Sequence, residues 1–397
     1  MALRKSRTRR FVSGAFLLDV LGIALTAFGG PQVHITQFHK KFVLKRKYLT
    51  EPELKEITSL CQMMPGPTST QMITAISYKN GGPLGAFLGL AVWVLPASIL
   101  MTILAVLIYR FDLYNPKLDF LKYIQPMAVG FIIYAAYKFK GLFVTRSYHW
   151  ILMIVSAFAG IWFTTPVIFP VLLLLGGIVS NFFNHADITD VKRIRHVPWG
   201  NFFLFVGVFF LAAILGAITH NKGILLFENT YRYGSIVFGG GHVLIPMMYN
   251  QFVEFKQYLS PNEFLLGVGV LQAIPGPVFS ISTFTGAMIL KDWNGFGQIL
   301  GAIIGTVGIF LPGTFLIFFV YPIWAQVKRF SPVKNAIEGI NATSAGLVIS
   351  SAYLLFRPVE VNEMNMSVLL GTLFVLLTTK IPNPVVVIIC MALGILY

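Results

Sequence analysis

An internal repeat limits the folds open to this chain more than any other feature of its sequence. Shifted by 210 residues, FGGPQVHI (from Phe28) aligns with FGGGHVLI (from Phe238), and QMMPGP (from Gln62) aligns with QAIPGP (from Gln272). Residues 28–72 contain 14 identities in 45 ungapped positions, and these identities fall mainly on Gly, Pro and aromatic residues. The chain is therefore expected to fold as two copies of one design.

The repeat predicts how the chain divides. We expect an N-terminal repeat over residues 1–185, a charged cytoplasmic linker over residues 186–198, and a C-terminal repeat over residues 199–397.

Both copies consist largely of apolar runs. The chain is 56% hydrophobic and 11% charged, whereas soluble domains carry about 25% charged residues. Apolar stretches of about 18 residues or more can cross a hydrocarbon core of about 30 Å. The predicted fold class is therefore an all-α polytopic membrane protein, and the lipid bilayer is its first partner.

The net charge of +15 comes from 30 Lys and Arg against 15 Asp and Glu. These cations form short clusters between apolar runs and do not follow one polar face, so nucleic acid is not an expected partner. Cys61 and Cys390 lie in apolar sequence and are expected to be small buried side chains. No cofactor or metal is predicted.

Loop charge predicts how the copies are oriented. Residues 1–10 and 40–47 are rich in Lys and Arg, while 249–258, the counterpart of 40–47, carries one acid and one base. Conversely, the loop at 110–122 is nearly neutral and its counterpart at 326–335 is basic. Positive charge marks cytoplasmic loops, so the repeats are predicted to have inverted topology, in a cell (plasma or inner) membrane with the N-terminus cytoplasmic.

Each copy is expected to contain two re-entrant hairpins followed by full crossings. In the first copy the hairpins are residues 11–46 and 52–80, although residues 11–27, about 25 Å long as a helix, could instead cross fully. The expected crossings are 84–109, 119–138, 149–165, 167–183, 200–220, 296–325, 336–356 and two short ones within 367–397.

The PGP motifs predict helices broken within the membrane. A capping box lies at the start of each helix that leads to a PGP motif. The two boxes are Thr50 with Glu53 and Ser260 with Glu263. About 14 residues later, or ~20 Å, two prolines flanking a glycine end the helix. The breaks are Pro65, Gly66 and Pro67 in the first copy and Pro275, Gly276 and Pro277 in the second. The next helices begin with polar residues that could bind substrate: Thr68, Ser69, Thr70 and Gln71, and then Ser280 and Ser282.

The FGG motifs predict further helix starts. Their glycines permit positive φ and Pro31 suits a first helical position; the glycines are Gly29, Gly30, Gly239, Gly240 and Gly241. A helix N-terminus presents free N–H groups and partial positive charge, which attract anions without any cationic side chain. Four such N-termini around one cavity favour an oxyanion as cargo, with Gln32, His34 and His242 as added donors. The cargo site is expected to be nearly free of fixed cations.

The same motifs and side chains also have purely structural interpretations. Gly and Pro are common in membrane helices and allow tight packing, and an interhelical hydrogen bond would explain either histidine. Asp19, His34 and His242 are the candidates for coupling transport to a proton, although Asp19 could be an interfacial residue.

The duplicated motifs, FGGPQVHITQFHKKFV with MMPGPTSTQ and FGGGHVLIPMMYNQFV with AIPGPVFS, resemble those of the chromate ion transporter family in its long, two-domain form. The resemblance implies a multi-pass membrane protein that moves chromate, with sulfate as a related substrate, outward in resistance proteins. The family's motif positions correspond to Gly29, Gly30, Pro31, Pro65, Gly66, Pro67, Gly239, Gly240, Pro275, Gly276 and Pro277.

We therefore predict a secondary transporter of a divalent oxyanion that works by alternating access. The alternatives are a passive anion channel of the same fold, a transporter of a different small anion, and a membrane-embedded enzyme. No HExxH, paired CxxC or GxSxG motif occurs, which argues against the enzyme. The sequence leaves a homo-oligomer open.

Overall fold

The computed structural model describes residues 13–111, 121–163, 165–184, 197–238, 240–293, 296–327 and 331–396. Every regular element in these ranges is helical, which confirms the all-α prediction. The predicted linker at 186–198 and the cationic N-terminus fall almost wholly outside the described residues, as do most of the loop at 110–122 and part of the loop at 326–335.

The first repeat contains seven helices among its described residues. They are α1 (Gly14–Ala24), α2 (Pro31–Phe38), α3 (Glu51–Gln62), α4 (Thr68–Arg110), α5 (Ile124–Phe143), α6 (Ser147–Trp162) and α7 (Ile168–Phe183). A π-helical turn, His39–Lys45, continues α2. Helix α4 is two helices in sequence, because Gly82 has φ of 64° and Pro83 begins the second segment.

The second repeat follows the same order after one additional helix. Its helices are α8 (Trp199–Thr219), α9 (Lys222–Ile236), α10 (Gly241–Tyr249), α11 (Pro261–Leu271), α12 (Ile281–Ile289), α13 (Gly297–Val320), α14 (Trp324–Val327), α15 (Ser331–Phe356), α16 (Glu363–Thr378) and α17 (Asn383–Leu396). A π-helical turn, Asn250–Phe255, again follows the helix that starts at the FGG motif.

Apart from α8 and the one-turn helix α14, the two helix sets match in order. Helices α1, α2 and α3 correspond to α9, α10 and α11, the two segments of α4 to α12 and α13, and α5, α6 and α7 to α15, α16 and α17. The protein is thus built from two repeats. The predicted inversion requires one membrane crossing before the second copy, and α8 is long and apolar enough to supply it.

Four helices in the described part of the chain are long and apolar enough to cross a membrane: Thr68–Arg110, Trp199–Thr219, Gly297–Val327 and Pro332–Phe356. Shorter apolar helices accompany them, α1 among them. Helix α1 has 11 residues, a length of about 16 Å, or roughly half of a hydrocarbon core. Its insertion as one arm of a re-entrant hairpin stays a prediction.

The capping boxes predicted before each PGP motif are present. The Thr50 amide donates to Glu53 Oε2 at 2.9 Å, and the Ser260 amide donates to Glu263 Oε2 at 2.8 Å. Each glutamate also pairs with a lysine farther along the chain, Glu53 with Lys79 on α4 at 2.5 Å and Glu263 with Lys291, two residues beyond α12. Both copies therefore anchor the start of this hairpin by one local and one tertiary contact.

Glycines allow close helix packing both within the second repeat and between the two repeats. A Cβ on Gly301 would lie 2.1 Å from the carbonyl oxygen of Gly286, and one on Gly339 would lie 2.0 Å from that of Gly176. The first contact joins α12 to α13 and the second joins α7 to α15. Helix α15 also packs on α5, α6 and α10, so it is a central element that joins the two repeats.

Candidate functional site

A cavity of about 1120 Å³ lies where the motif segments of both repeats meet. Small-molecule sites typically occupy about 300–1,000 Å³, so the space is ample for a small hydrated ion. The predicted site residues that line it are Gly29, Gly30, Pro31, Gln32, Thr68, Gly240, Gly241, His242, Pro275, Gly276 and Pro277.

Each PGP motif is hydrogen-bonded to the FGG segment of the other repeat. The Gly66 amide donates to the carbonyl of Val237 at 2.7 Å, and the Gly276 amide donates to the carbonyl of Ala27 at 2.9 Å. Both acceptors directly precede the phenylalanine of an FGG motif. The two glycines have φ of 113° and 110°, a region that side chains disfavour. The motifs therefore interlock the repeats around the cavity.

The starts of three α-helices and of one 3₁₀ turn border the cavity. Gly30 and Gly240 are the N-caps of α2 and α10, with φ of 83° and 90°. Lining residues include Pro31 and Gly241, the first residues of these two helices, and Thr68, the first residue of α4. Val278, where a 3₁₀ turn leads into α12, lines it as well. These backbone groups bring partial positive charge to the cavity wall.

The other predicted site residues are absent from the lining. They are His34, Pro65, Gly66, Pro67, Ser69, Thr70, Gln71, Ser280 and Ser282. Gly239 lies outside the described residues. The PGP motif of the second repeat thus borders the cavity, whereas that of the first lies behind it.

The polar residues after the first PGP motif form a layer behind the cavity wall. His34 Nδ1 is 2.9 Å from Ser69 Oγ, and its ring meets the edge of Trp93 at 5.1 Å. Trp93 Nε1 in turn donates to Thr70 Oγ1 at 3.1 Å. Gln71 Nε2 donates to the carbonyl that precedes Gly66, that of Pro65, at 2.6 Å. These side chains hold the broken helix in place.

The three candidates for proton coupling lie in different surroundings. Asp19 is buried and bonded to Lys41, Arg46 and Tyr48, each at 2.8 Å, and it does not line the cavity. His34 belongs to the layer described above. His242 lines the cavity, and its Nδ1 is buried with no hydrogen-bond partner among the described residues.

Four charged residues outside the predicted site also line the cavity: Lys138, Lys334, Glu338 and Lys380. The expectation of a cargo site nearly free of cations is therefore wrong for the cavity as a whole. These residues lie on α5, on α15 and in the turn between α16 and α17, far in sequence from the repeated motifs. For the three lysines, the only local signal was a basic residue near the end of an apolar helix.

These observations define a class of protein: a multi-span helical membrane protein in which two repeats enclose one cavity bordered by broken helices. The chromate transporter family model matches residues 15–181 and 224–395, one segment in each repeat. The chain belongs to the chromate transporter family.

Relatives match most of the chain at low identity. The chromate transport protein of Pseudomonas aeruginosa is 24% identical over 83% of this chain and 77% of its own length. That of Cupriavidus metallidurans is 22% identical over 92% of this chain and 88% of its own length. An uncharacterized transporter of Methanocaldococcus jannaschii is 23% identical over 84% of this chain and 82% of its own length. No solved structure matches the chain.

Proposed function

We propose that this protein is a secondary transporter of chromate and of sulfate-like divalent oxyanions, which it moves out of the cell by alternating access. The observation that carries the proposal is the single cavity bordered by motif residues of both repeats. Family membership and the chromate transport proteins among its relatives supply the substrate. The protein would lie in the cell membrane with its N-terminus in the cytoplasm.

The chemistry of the cavity wall suits an oxyanion. A tetrahedral oxyanion presents several acceptor oxygens and no donors, and helix N-termini offer donors with partial positive charge. The first-turn amides of α2 and α10 approach from opposite repeats, and the side chains of Gln32 and Thr68 add polar groups to the same wall. An anion held by both repeats would be released as one repeat moves against the other.

We propose His242 as the group that couples transport to a proton. It borders the cavity and its Nδ1 has no hydrogen-bond partner in the described structure, so a proton can be gained there without breaking a protein contact. Asp19 is held by two cations and Tyr48 instead. In His242→Gln the stimulation of flux by an imposed pH gradient should disappear, while in Asp19→Asn it should persist.

The proposed function is tested by flux of radiolabelled chromate and sulfate into proteoliposomes. The test variant combines Gly30→Leu with Gly240→Leu, because both positions have positive φ and both border the cavity. The control combines Gly141→Leu with Gly207→Leu, where an added Cβ meets nothing within 4 Å and φ is ordinary.

We expect flux in the wild type and the control and at least a tenfold lower rate in the test variant. Equal flux in the control and test variants would refute the assignment of the anion site to these glycines. Absence of chromate and sulfate flux in the wild type would refute the assignment of these anions as substrates. Anion currents that need no coupling ion would instead establish a passive channel.

A further inference from the structure

The cavity extends farther along α2 and α3 of the first repeat than along their counterparts α10 and α11 in the second. Ser59, one turn before the end of α3, lines it. Its counterpart in the second repeat, Gly269 on α11, is covered, because a Cβ there would lie 2.1 Å from the side chain of Ile124. Val33 and Ile35 of α2 also line the cavity, whereas α10 contributes only its first two residues. The cavity therefore opens toward the side on which the hairpins of the first repeat begin, which loop charge assigns to the cytoplasm.

The three lysines of the cavity lie at exposed positions, and Glu338 is half-buried. Lys138, Lys334 and Lys380 are all exposed although they line the cavity. Lys138 belongs to one face of α5, with Phe131, Tyr134, Ala135, Phe139, Leu142 and Phe143, a spacing of three and four residues. We call the three lysines, together with Glu338, the cavity mouth.

Two contacts connect the mouth to the repeated motifs. Phe139, next to Lys138, packs against the ring of His242 with centroids 5.7 Å apart. Asn383, which begins α17 directly after the turn that contains Lys380, donates from Nδ2 to Gln272 Oε1 at 3.3 Å, three residues before Pro275. An ion at the mouth is thus close to the helix starts of the second repeat.

The mouth has a net positive charge. Glu338 is its one acid, and Arg146 pairs with it at 3.5 Å. Lys138 stacks over the ring of Tyr134 at 5.3 Å and has no ion-pair partner in the described part of the chain. Neither Lys334 nor Lys380 has an ion-pair partner within the described ranges. The three lysine charges therefore act on whatever enters the cavity.

We infer that Lys138, Lys334 and Lys380 form a capture site that concentrates small divalent anions at the cavity mouth before they reach the helix N-termini. This inference rests on the proposed function for the identity of the cargo, but the electrostatic role is independent of it. Cavities lined by one sign of charge raise the local concentration of the opposite ion. A divalent anion gains twice the interaction energy of a monovalent one, so the site favours chromate and sulfate over chloride.

The test measures how fast thiol reagents modify a cysteine in the cavity. Gln62→Cys, which lines the cavity, is placed in a background of Cys61→Ala and Cys390→Ala. The rate with a sulfonate-bearing methanethiosulfonate is divided by the rate with a neutral one, at about 10 mM ionic strength, where the Debye length is about 30 Å. Dividing the two rates cancels differences between variants in access to the cysteine and in the reactivity of its thiol.

Replacing all three lysines with glutamine should lower this ratio roughly eightfold, about twofold for each charge at about 10 Å in water. Lys140→Gln is the matched control, because Lys140 lies on the same helix, is exposed and is absent from the cavity lining. It should leave the ratio unchanged. Replacing the three lysines with arginine should also preserve it, which separates loss of charge from misfolding.

In proteoliposomes the glutamine triple variant should raise the KM for chromate at least tenfold, and added salt should raise the KM of the wild type toward the same value. An unchanged ratio in the glutamine triple variant, or an equal fall with Lys140→Gln, would overturn the capture site. If the wild type moves neither chromate nor sulfate, the proposed function fails while the thiol ratio still decides the role of the lysines.

Discussion

Substituting Gly276 by alanine perturbs the contact that joins the second PGP motif to the first FGG segment. Gly276 has φ of 110°, and a Cβ there would lie 3.0 Å from the Cβ of Ala97. Holding a side chain in this backbone region costs about 1–3 kcal/mol, and the close approach adds about 1 kcal/mol. The free energy of unfolding should therefore fall by about 2–4 kcal/mol.

The assay is reversible unfolding in mixed micelles, paired with chromate flux in proteoliposomes. Flux should fall at least tenfold, because relaxing the strain lengthens the 2.9 Å bond from the Gly276 amide to Ala27. Gly141→Ala, at an open position with ordinary φ, is the control and should change neither quantity.

A double-mutant cycle separates the two contributions. Ala97→Gly removes the Cβ that the new methyl group would meet, so combining it with Gly276→Ala should recover about 1 kcal/mol relative to the sum of the single effects. The cost of the positive φ should remain. A loss of stability below about 0.5 kcal/mol, within the error of additivity, together with wild-type flux, would refute the reasoning.

Two further predictions concern ion pairs outside the cavity. Asp19→Asn should lower the free energy of unfolding by about 1–2 kcal/mol. The loss is smaller than for a fully buried ion pair, because Arg46 and Lys41 stay half-exposed. A loss of pH-dependent transport in this variant would contradict a structural role for Asp19. Partial burial alone would raise the pKa of Glu53, but hydrogen bonds from Lys79 and the Thr50 amide lower it. Glu53 therefore stabilises the fold above its unfolded pKa, and this contribution is lost as the pH falls through the folded pKa. The melting temperature of Glu53→Gln should fall below that of the wild type at pH 7 and match it once Glu53 is protonated; a constant difference across this range would exclude the ion pair as the cause.

The sequence predicted those features that depend on local rules. Capping boxes, helix breaks at Pro65 and Pro275, and helix starts at the FGG glycines follow from residue types at fixed spacing, and the structure contains all of them. The repeat offset also predicted that equivalent elements would recur in the same order, because both copies obey the same local rules.

Features that depend on how helices meet were not predictable. Gly66 bonds to Val237 of the other repeat, a pairing that no spacing within either motif indicates. Lys138 and Lys334 line one cavity although they are far apart in sequence, because α5 and α15 pack together. From the sequence alone, each lysine is only a basic residue near the end of an apolar helix, so the cationic mouth was missed.

Under the proposed function, motif residues of both repeats form one anion site. Chromate protection of two cysteines tests this arrangement: Gln32→Cys in the first repeat and His242→Cys in the second, each introduced separately into the background that lacks Cys61 and Cys390. Both residues line the cavity. A single shared site predicts that chromate slows modification of both cysteines with the same half-saturating concentration. Protection of only one cysteine, or of neither, would contradict the account.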